Sequence, residues 1–323
     1  MSKLTDAIAE FEAKVAEIDG VLASVVEGQE TRDMVVLNHG IRIAKLEGNV
    51  PVPNPDPGLP DDAKIIFRDD FQGGQHKNWT LQASNAQIPG TGIPDPSRLY
   101  EGKPTFRLRL WKDDWTADGG AGPSPRAQLT NYVNKIRQRV HTWISWLEWV
   151  DEGWQEETFP NQGNQHWQFH GTGNLNHVSQ LCGQFGDYAD GKPGAFSLLN
   201  RTGKIFGPLV NDVIREEPWA FLPKGRWVKH KIHAFMTYED DGEIDYWIDD
   251  KLFGSKHNAP NMWWGLNGAP KSINDTMAFG LCIYKPKWDN GKSSITQPIQ
   301  KWVTKLTIAE GKRGFSVSDP DNW

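Results

Sequence analysis

The stretch Asn164-Gln165-His166-Trp167-Gln168-Phe169-His170-Gly171 alternates polar and aromatic residues with a period of two. Successive side chains of an extended strand point to opposite faces, so the pattern predicts a strand with His166, Gln168 and His170 on one face and Trp167 and Phe169 on the other. Trp and Phe are ordinary core residues, whereas two imidazoles flanking an amide are an unusual way to decorate a solvated sheet. The polar face reads either as hydrogen-bonded surface or as the floor of a site.

Further β-rich runs, separated by Gly, Pro, Asn and Asp, lie on both sides of it: Ile65 to Arg68, Thr105 to Trp111, Arg126 to Tyr132, His141 to Trp149, Trp227 to Tyr238, Glu243 to Asp249, Met277 to Tyr284 and Lys301 to Glu310. Glu239-Asp240-Asp241-Gly242 between two of them is a hairpin turn, which accounts for its acidity. Many antiparallel strands without intervening helices predict an all-β fold, a two-sheet antiparallel β-sandwich of the jelly-roll, concanavalin-like kind. Asp187 to Leu222 reads as a long irregular loop of the sort that walls a cleft.

The sandwich is expected over residues 63–323. Ahead of it, Leu4, Ile8, Phe11, Val15, Ile18, Leu22 and Val25 are spaced 4-3-4-3-4-3, the a/d seam of an α-helical coiled coil. A second helical stretch, Glu30 to Leu46, completes a helical oligomerisation or attachment segment over residues 1–49. The seam over residues 4–25 suits a homo-oligomer, a trimer among the options, or a helix packed on its own β domain. Pro51-Val52-Pro53-Asn54-Pro55-Asp56-Pro57-Gly58-Leu59-Pro60 marks a stiff, extended linker over residues 50–62.

The 323 residues suffice for one large β domain with an appendage, and 32 Gly, 21 Pro and 16 Trp favour a turn-rich, strand-rich body. A formal charge of −6 argues against a nucleic-acid partner, so an anionic ligand needs a local basic groove. Two cysteines, Cys182 and Cys282, imply no disulfide framework. The polar segment Ser2 to Lys14 lacks the apolar core of a signal peptide, and no apolar run is long enough to span a membrane. The expectation is a soluble protein with no membrane partner.

Three strands carry compatible polar faces. Arg126-Ala127-Gln128-Leu129-Thr130 sets Arg126, Gln128 and Thr130 opposite Ala127 and Leu129, and Leu281-Cys282-Ile283-Tyr284 sends Tyr284 opposite Leu281 and Ile283. If these faces line one concave sheet, Arg, Gln, His and Tyr converge in a set that suits β-elimination across a uronic acid. Removing the proton alpha to a carboxylate builds negative charge beside an existing negative charge. Arg126 and Gln168 would neutralise that carboxylate, and His170, whose imidazole ordinarily titrates near neutrality, would take the proton. Tyr284 would protonate the leaving oxygen, or serve as both base and acid in a syn geometry.

Arg126-Ala127-Gln128-Leu129, Gln168-Phe169-His170 and Cys282-Ile283-Tyr284 resemble, in order and strand context, three signature strands of jelly-roll polysaccharide lyases. Alginate lyases of that fold read Arg-x-Glu-Leu, Gln-x-His and Lys-Ala-Gly-x-Tyr. The heparin-lyase-I-like and glucuronan-lyase-like group is more similar still, through Phe67-Arg68-Asp69-Asp70-Phe71 ahead of Trp79, Gly225-Arg226-Trp227, and Asp241 to Asp249 ahead of Lys251-Leu252. The resemblance covers about Ile65 to Glu310 and leaves out the N-terminal helices. It implies Gln168 as carboxylate neutraliser, His170 as base, Tyr284 as acid and Arg126 as uronate binder. Gln128 stands where the family's first motif has Glu, and Cys282 where a glycine is usual.

Gln128 and His166 are expected as further substrate contacts, with His166 either touching an adjacent sugar or, as favoured here, bracing the site. Lys285 and Lys287, with Lys229, Lys231 and His233, offer basic surface for an anionic polysaccharide, and the loop residues Trp263, Trp264 and Trp288 offer indole faces to sugar rings. Elimination requires no cofactor or catalytic metal; a structural Ca2+ held by scattered loop carboxylates is compatible with the loops.

Two other readings compete. A glycoside hydrolase needs two carboxylates flanking the bond, and Glu243-Ile244-Asp245-Tyr246-Trp247-Ile248 misses the Glu-x-Asp-x-x-Glu pattern of sandwich glucanases only at Ile248. A non-catalytic carbohydrate-binding or adhesive module also suits the Trp content and the helical stem. A stem joined by a linker to a depolymerising head is similar to the layout of phage tail-associated enzymes, which would place the chain outside the cell among virion proteins.

Overall fold

The computed structural model describes residues 63–72, 78–83, 94–111, 126–157, 164–172, 179–185, 196–204, 210–214, 222–264, 270–285, 293–312 and 317–323. The helical segment, the linker, Lys287 and Trp288 lie outside the described residues. Among the described residues no helix is long and apolar enough to cross a membrane.

The first sheet holds β1 (Lys64–Asp69), β3 (Pro94–Tyr100), β4 (Lys103–Leu110), β6 (His141–Val150), β11 (Trp227–Phe235), β12 (Glu243–Ile248), β13 (Lys251–His257) and β16 (Ile299–Glu310). Its order is β13-β12-β11-β6-β16-β4-β3, with β1 also paired to β16. The second holds β2 (Trp79–Ala83), β5 (Arg126–Arg137), β7 (Asn164–Gly171), β8 (Ser179–Phe185), β9 (Phe196–Lys204), β10 (Val210–Ile214) and β15 (Thr276–Tyr284), in the order β10-β9-β8-β7-β15-β5-β2. The two-residue strand β14 (Trp263–Trp264) joins β9 in parallel.

Alternation builds the space between the sheets. Ile144, Trp146, Glu148 and Val150 of β6 are buried, as are Trp167 and Phe169 of β7 and Phe279, Leu281 and Ile283 of β15. Rings meet across the gap: Trp146 and Phe279 lie 5.4 Å apart between centroids, Trp167 and Tyr246 5.3 Å. Each such ring contributes about 1.5–3 kcal/mol through burial. Gly183 faces Trp167 so closely that a Cβ there would stand 2.3 Å from Nε1 of the indole, so only glycine leaves that ring its place.

All nine runs expected as strands are strands. Two hairpins turn through left-handed residues: Glu101 and Gly102 (φ 49° and 77°) between β3 and β4, and Asp249 and Asp250 (φ 49° and 62°) between β12 and β13. Positive φ at both central residues matches the right-handed twist of the paired strands. The expected loop from Asp187 to Leu222 instead contains β9 and β10. Their identity comes from long-range pairing, Leu181↔Asn200 to Phe185↔Phe196, rather than from clean alternation. Prolines 94 and 96 hid β3, which the topology places at an edge where a missing N–H is tolerated.

Candidate active site

β15 lies between β5 and β7, and its alternation sends Leu281 and Ile283 to the core and Gly280, Cys282 and Tyr284 outward. On β5, Ala127 and Leu129 enter the core while Arg126, Gln128 and Thr130 share the outward face, as their spacing predicts. The register sets Tyr284 opposite Arg126, Cys282 opposite Gln128 and Gly280 opposite Thr130. The Arg126 guanidinium lies over the Tyr284 ring at 5.0 Å, a cation–π contact that fixes both side chains.

On the other side of β15, Gln168 faces Gly280 and His170 faces Ala278. Gln168 is buried, and His170 is half-buried with Nδ1 2.9 Å from the Gly171 carbonyl. A carbonyl only accepts, so Nδ1 carries the proton and Nε2 is the basic nitrogen of the neutral ring.

The expected four residues therefore form two pairs on one face. Tyr284 is level with Gln165, not with Gln168, because three steps of β15 from Leu281 to Tyr284 oppose two steps of β7 from Trp167 to Gln165. Ala278 and Tyr284 stand six residues apart on β15, about 20 Å of extended strand. Gln165 is in turn opposite Gln184 of β8.

The same irregularity overturns the placement of His166. Its side chain leaves the face of Gln168 and His170 and turns inward, as does that of its neighbour Trp167: His166 Nδ1 lies 2.8 Å from Glu148 Oε1, while Trp167 packs on Trp146. A β-bulge breaks the period-two rule at one residue, and two consecutive side chains then share a side. Lys301 Nζ donates to Glu148 Oε2 at 2.7 Å and to the His166 carbonyl at 2.7 Å. Burial and the Lys301 charge push the His166 imidazole down to about 4. Burial alone would raise the Glu148 carboxyl, but Lys301 and His166 outweigh it and hold that group well below the usual carboxylate range. His166 braces the interior and does not reach a sugar.

Lys285 is not a substrate contact either. It is fully buried, with Nζ 2.7 Å from Glu157 Oε2, and Glu157 also accepts from the Ser293 and Ser294 hydroxyls at 2.7 and 2.8 Å. A buried ammonium demands such a partner. Lys229 and Lys231 sit on the first sheet and pair with Asp250 and Asp319, so they supply no basic groove here. Trp263 and Trp264 form β14 rather than a loop, with Trp264 packed against the core. Among the tryptophans of β6, β11 and β12, Trp146 is buried, whereas Trp143, Trp149, Trp227 and Trp247 are half-buried on the outer side of the first sheet.

Three glutamines complete the outward face. Gln128, Gln165 and Gln184 are all buried, and the side-chain carbonyl oxygen of each has no hydrogen-bond partner in the protein. Gln128 uses its Nε2 on the Thr130 hydroxyl at 2.7 Å. Simple alternation assigns Gln165 to the core, and Gln184 lies on a strand that the sequence does not announce, so neither was expected. Cys182 and Cys282 form no disulfide and are buried on this face, and burial pushes the Cys282 thiol up, away from any role as nucleophile. Glu243 and Asp245 of the near-glucanase pattern lie on the first sheet and alternate with the core residues Ile244 and Tyr246. They point away from the second sheet altogether.

No protein-family model matches the sequence, and no curated protein matches it. Among solved structures, the endo-beta-1,4-glucuronan lyase from the fungus Trichoderma reesei is similar over 80% of this chain and 100% of its own, with a TM-score of 0.53 and 14% identity. An alginate lyase from Klebsiella pneumoniae matches over 75% of this chain and 97% of its own (TM-score 0.47, 11% identity). The catalytic domain of an endo-1,3-beta-glucanase from Thermotoga petrophila matches over 78% and 99% (TM-score 0.44, 14% identity). At such identities likeness speaks to fold alone; the first of these supports the two-sheet sandwich described above.

Proposed function

We propose that this chain is a polysaccharide lyase that cleaves an anionic, uronate-containing polysaccharide by β-elimination and leaves an unsaturated uronate at the new end. The observation that carries the reading is the Arg126 guanidinium held over the Tyr284 phenol, on a sheet face floored by buried amides with open acceptors. A cation beside a proton-transferring group is what elimination next to a carboxylate requires, because the arginine stabilises charge as it develops on the substrate. The open amide oxygens accept from sugar hydroxyls.

Two distributions of labour are open to this face, and the spacing decides between them. With Tyr284 beside Arg126, the tyrosine removes the proton and returns it to the departing oxygen in a syn elimination, while Gln168 and His170 hold the next sugars along the chain. His170 as base with Tyr284 as acid would have to act across about 20 Å of strand, too far for one glycosidic bond, so the first form is the one proposed. An oligomerising stem over residues 4–25 and action outside the cell, in a virion tail, suit a substrate of this size.

The test is a panel of alginate, glucuronan, heparinoid and capsular polysaccharides followed in the near ultraviolet. Rising absorbance on one of them is the expected result. Reducing ends without absorbance would make the chain a hydrolase, and binding without either would make it an adhesive module.

A further inference from the structure

On the outer side of the first sheet, three strands bring together a set of side chains for which elimination has no use. His141 of β6, His233 of β11 and Glu243 of β12 each offer one ligand atom, and these atoms all lie within 4.8 Å of one another. We propose that His141, His233 and Glu243 form a binding site for a divalent transition ion of the zinc class.

The register explains the meeting. Phe235 of β11 is opposite both His141 and Glu243, and His233, two residues along, shares their face. His141 Nδ1 lies 2.9 Å from His233 Nε2, and Glu243 Oε2 lies 4.0 Å from His141 Nδ1. Neighbouring rings hold both imidazoles: Trp143 stacks on His233 at 4.4 Å, and Phe235 packs on His141 at 4.7 Å.

The second nitrogen of His233 is already committed. Nδ1 lies 3.2 Å from Asp245 Oδ2, and Asp245 also accepts from Ser255 Oγ at 2.7 Å and His257 Nε2 at 2.8 Å. A carboxylate only accepts, so His233 Nδ1 carries the proton and Nε2 turns its lone pair toward His141. A carboxylate behind a metal-binding histidine is the arrangement that sets its tautomer and raises its basicity.

Two ring nitrogens at 2.9 Å must share either a proton or a cation. Bond lengths of about 2.0–2.1 Å to a tetrahedral zinc put two nitrogen ligands about 3.3 Å apart, within a few tenths of the spacing here. Two imidazoles and one carboxylate suit zinc, cobalt or nickel, whereas calcium and magnesium favour all-oxygen sets. Arg139, 5.7 Å from the Phe235 ring, is engaged by Asp241 at 2.6 Å. Three protein ligands leave one position of a tetrahedral ion for water or an incoming group. Because the site lies on the first sheet, a bound ion would tie β6, β11 and β12 together and take no part in the elimination.

The full chain, stripped with a chelator, is titrated with Co2+ by visible absorbance and with Zn2+ by calorimetry. One equivalent is expected to bind, with the intense bands of tetrahedral cobalt and a melting temperature that rises with Zn2+. Asp245→Asn, which keeps the size of the side chain, should weaken binding about 10–100-fold. His141→Ala and Glu243→Gln should weaken it further, with melting in the absence of metal as the check on folding. Absence of uptake would overturn the proposal, as would uptake that survives in both His141→Ala and Glu243→Gln, or Ca2+ competing at concentrations equal to Zn2+.

Discussion

The interior between the sheets and the outward face of the second sheet are both rich in buried polar groups, but ion pairs gather in the first and open amide acceptors in the second. Inside, Glu148, His166 and Lys301 pair through contacts of 2.7–2.8 Å, although His230 Nε2 and Trp167 Nε1 are buried with no hydrogen-bond partner in the protein. Outside, Gln128, Gln165 and Gln184 are nearly as buried and leave their carbonyl oxygens without a partner in the protein. A buried acceptor with no partner costs about 1–3 kcal/mol, so a row of them persists where a ligand or ordered water recovers the loss. The contrast is between a charged cluster closed by ion pairs and a row of neutral amides whose oxygens point to one face.

The sharpest way to test that division is to remove one polar group from each region. Tyr284→Phe should lower kcat on the cleaved polysaccharide by about 10²–10⁴-fold with the melting temperature unchanged. His170→Ala, assayed alongside, assigns the base: an equal loss makes it the proton acceptor, a rise in KM alone makes it a subsite residue. In the interior, Lys301→Met strands the Glu148 charge and should cost about 3–5 kcal/mol in chemical denaturation. A loss below about 1 kcal/mol would mean that the cluster is not the closed unit described above.

Acid should weaken the interior next. His166 and His230 are buried, and burial pushes each imidazole down from 6.5 to about 4. Both are neutral in the folded protein, and the unfolded chain gains protons first. The stability they contribute is complete above pH 6.5 and is lost as the pH falls toward 4, on the order of 3 kcal/mol for each. Glu148, with its folded value depressed, adds to the loss at lower pH still. His257 works in the opposite sense, since its bond to Asp245 raises it and its contribution fades as pH rises, but it is half-exposed and counts for little. Melting temperatures between pH 7 and pH 4 would expose the trend, and a flat profile would break it. The smallest effect belongs to the outward face: Gln165→Leu should change stability by no more than about 1 kcal/mol while raising KM.

Most of the fold was legible because alternation survives in the strands that matter most. Arg126, Gln128 and Thr130 face outward and Ala127 and Leu129 inward, as spacing alone predicts. The failures have specific physical causes. His166 and Gln165 exchanged sides because a bulge is a property of strand pairing, and nothing in eight residues of β7 reveals an extra residue on β15. Lys285 looked like surface because its partner, Glu157, lies 128 residues away. Gln184 went unread because β8 carries Gly183 where a core side chain would otherwise complete the pattern.

The register shift beside His166, where three steps of β15 oppose two of β7 and two of β7 oppose one of β8, has a consequence for anyone who would transfer residue roles onto this strand from a similar protein. It acts on a strand as a frameshift acts on a message: positions from Trp167 onward keep one parity of inside and outside, and positions before it keep the other. Gapless alignment through that point would pair a structural histidine with a functional one while every letter matched. Correspondence has to be drawn separately on each side of the His166–Trp167 bond.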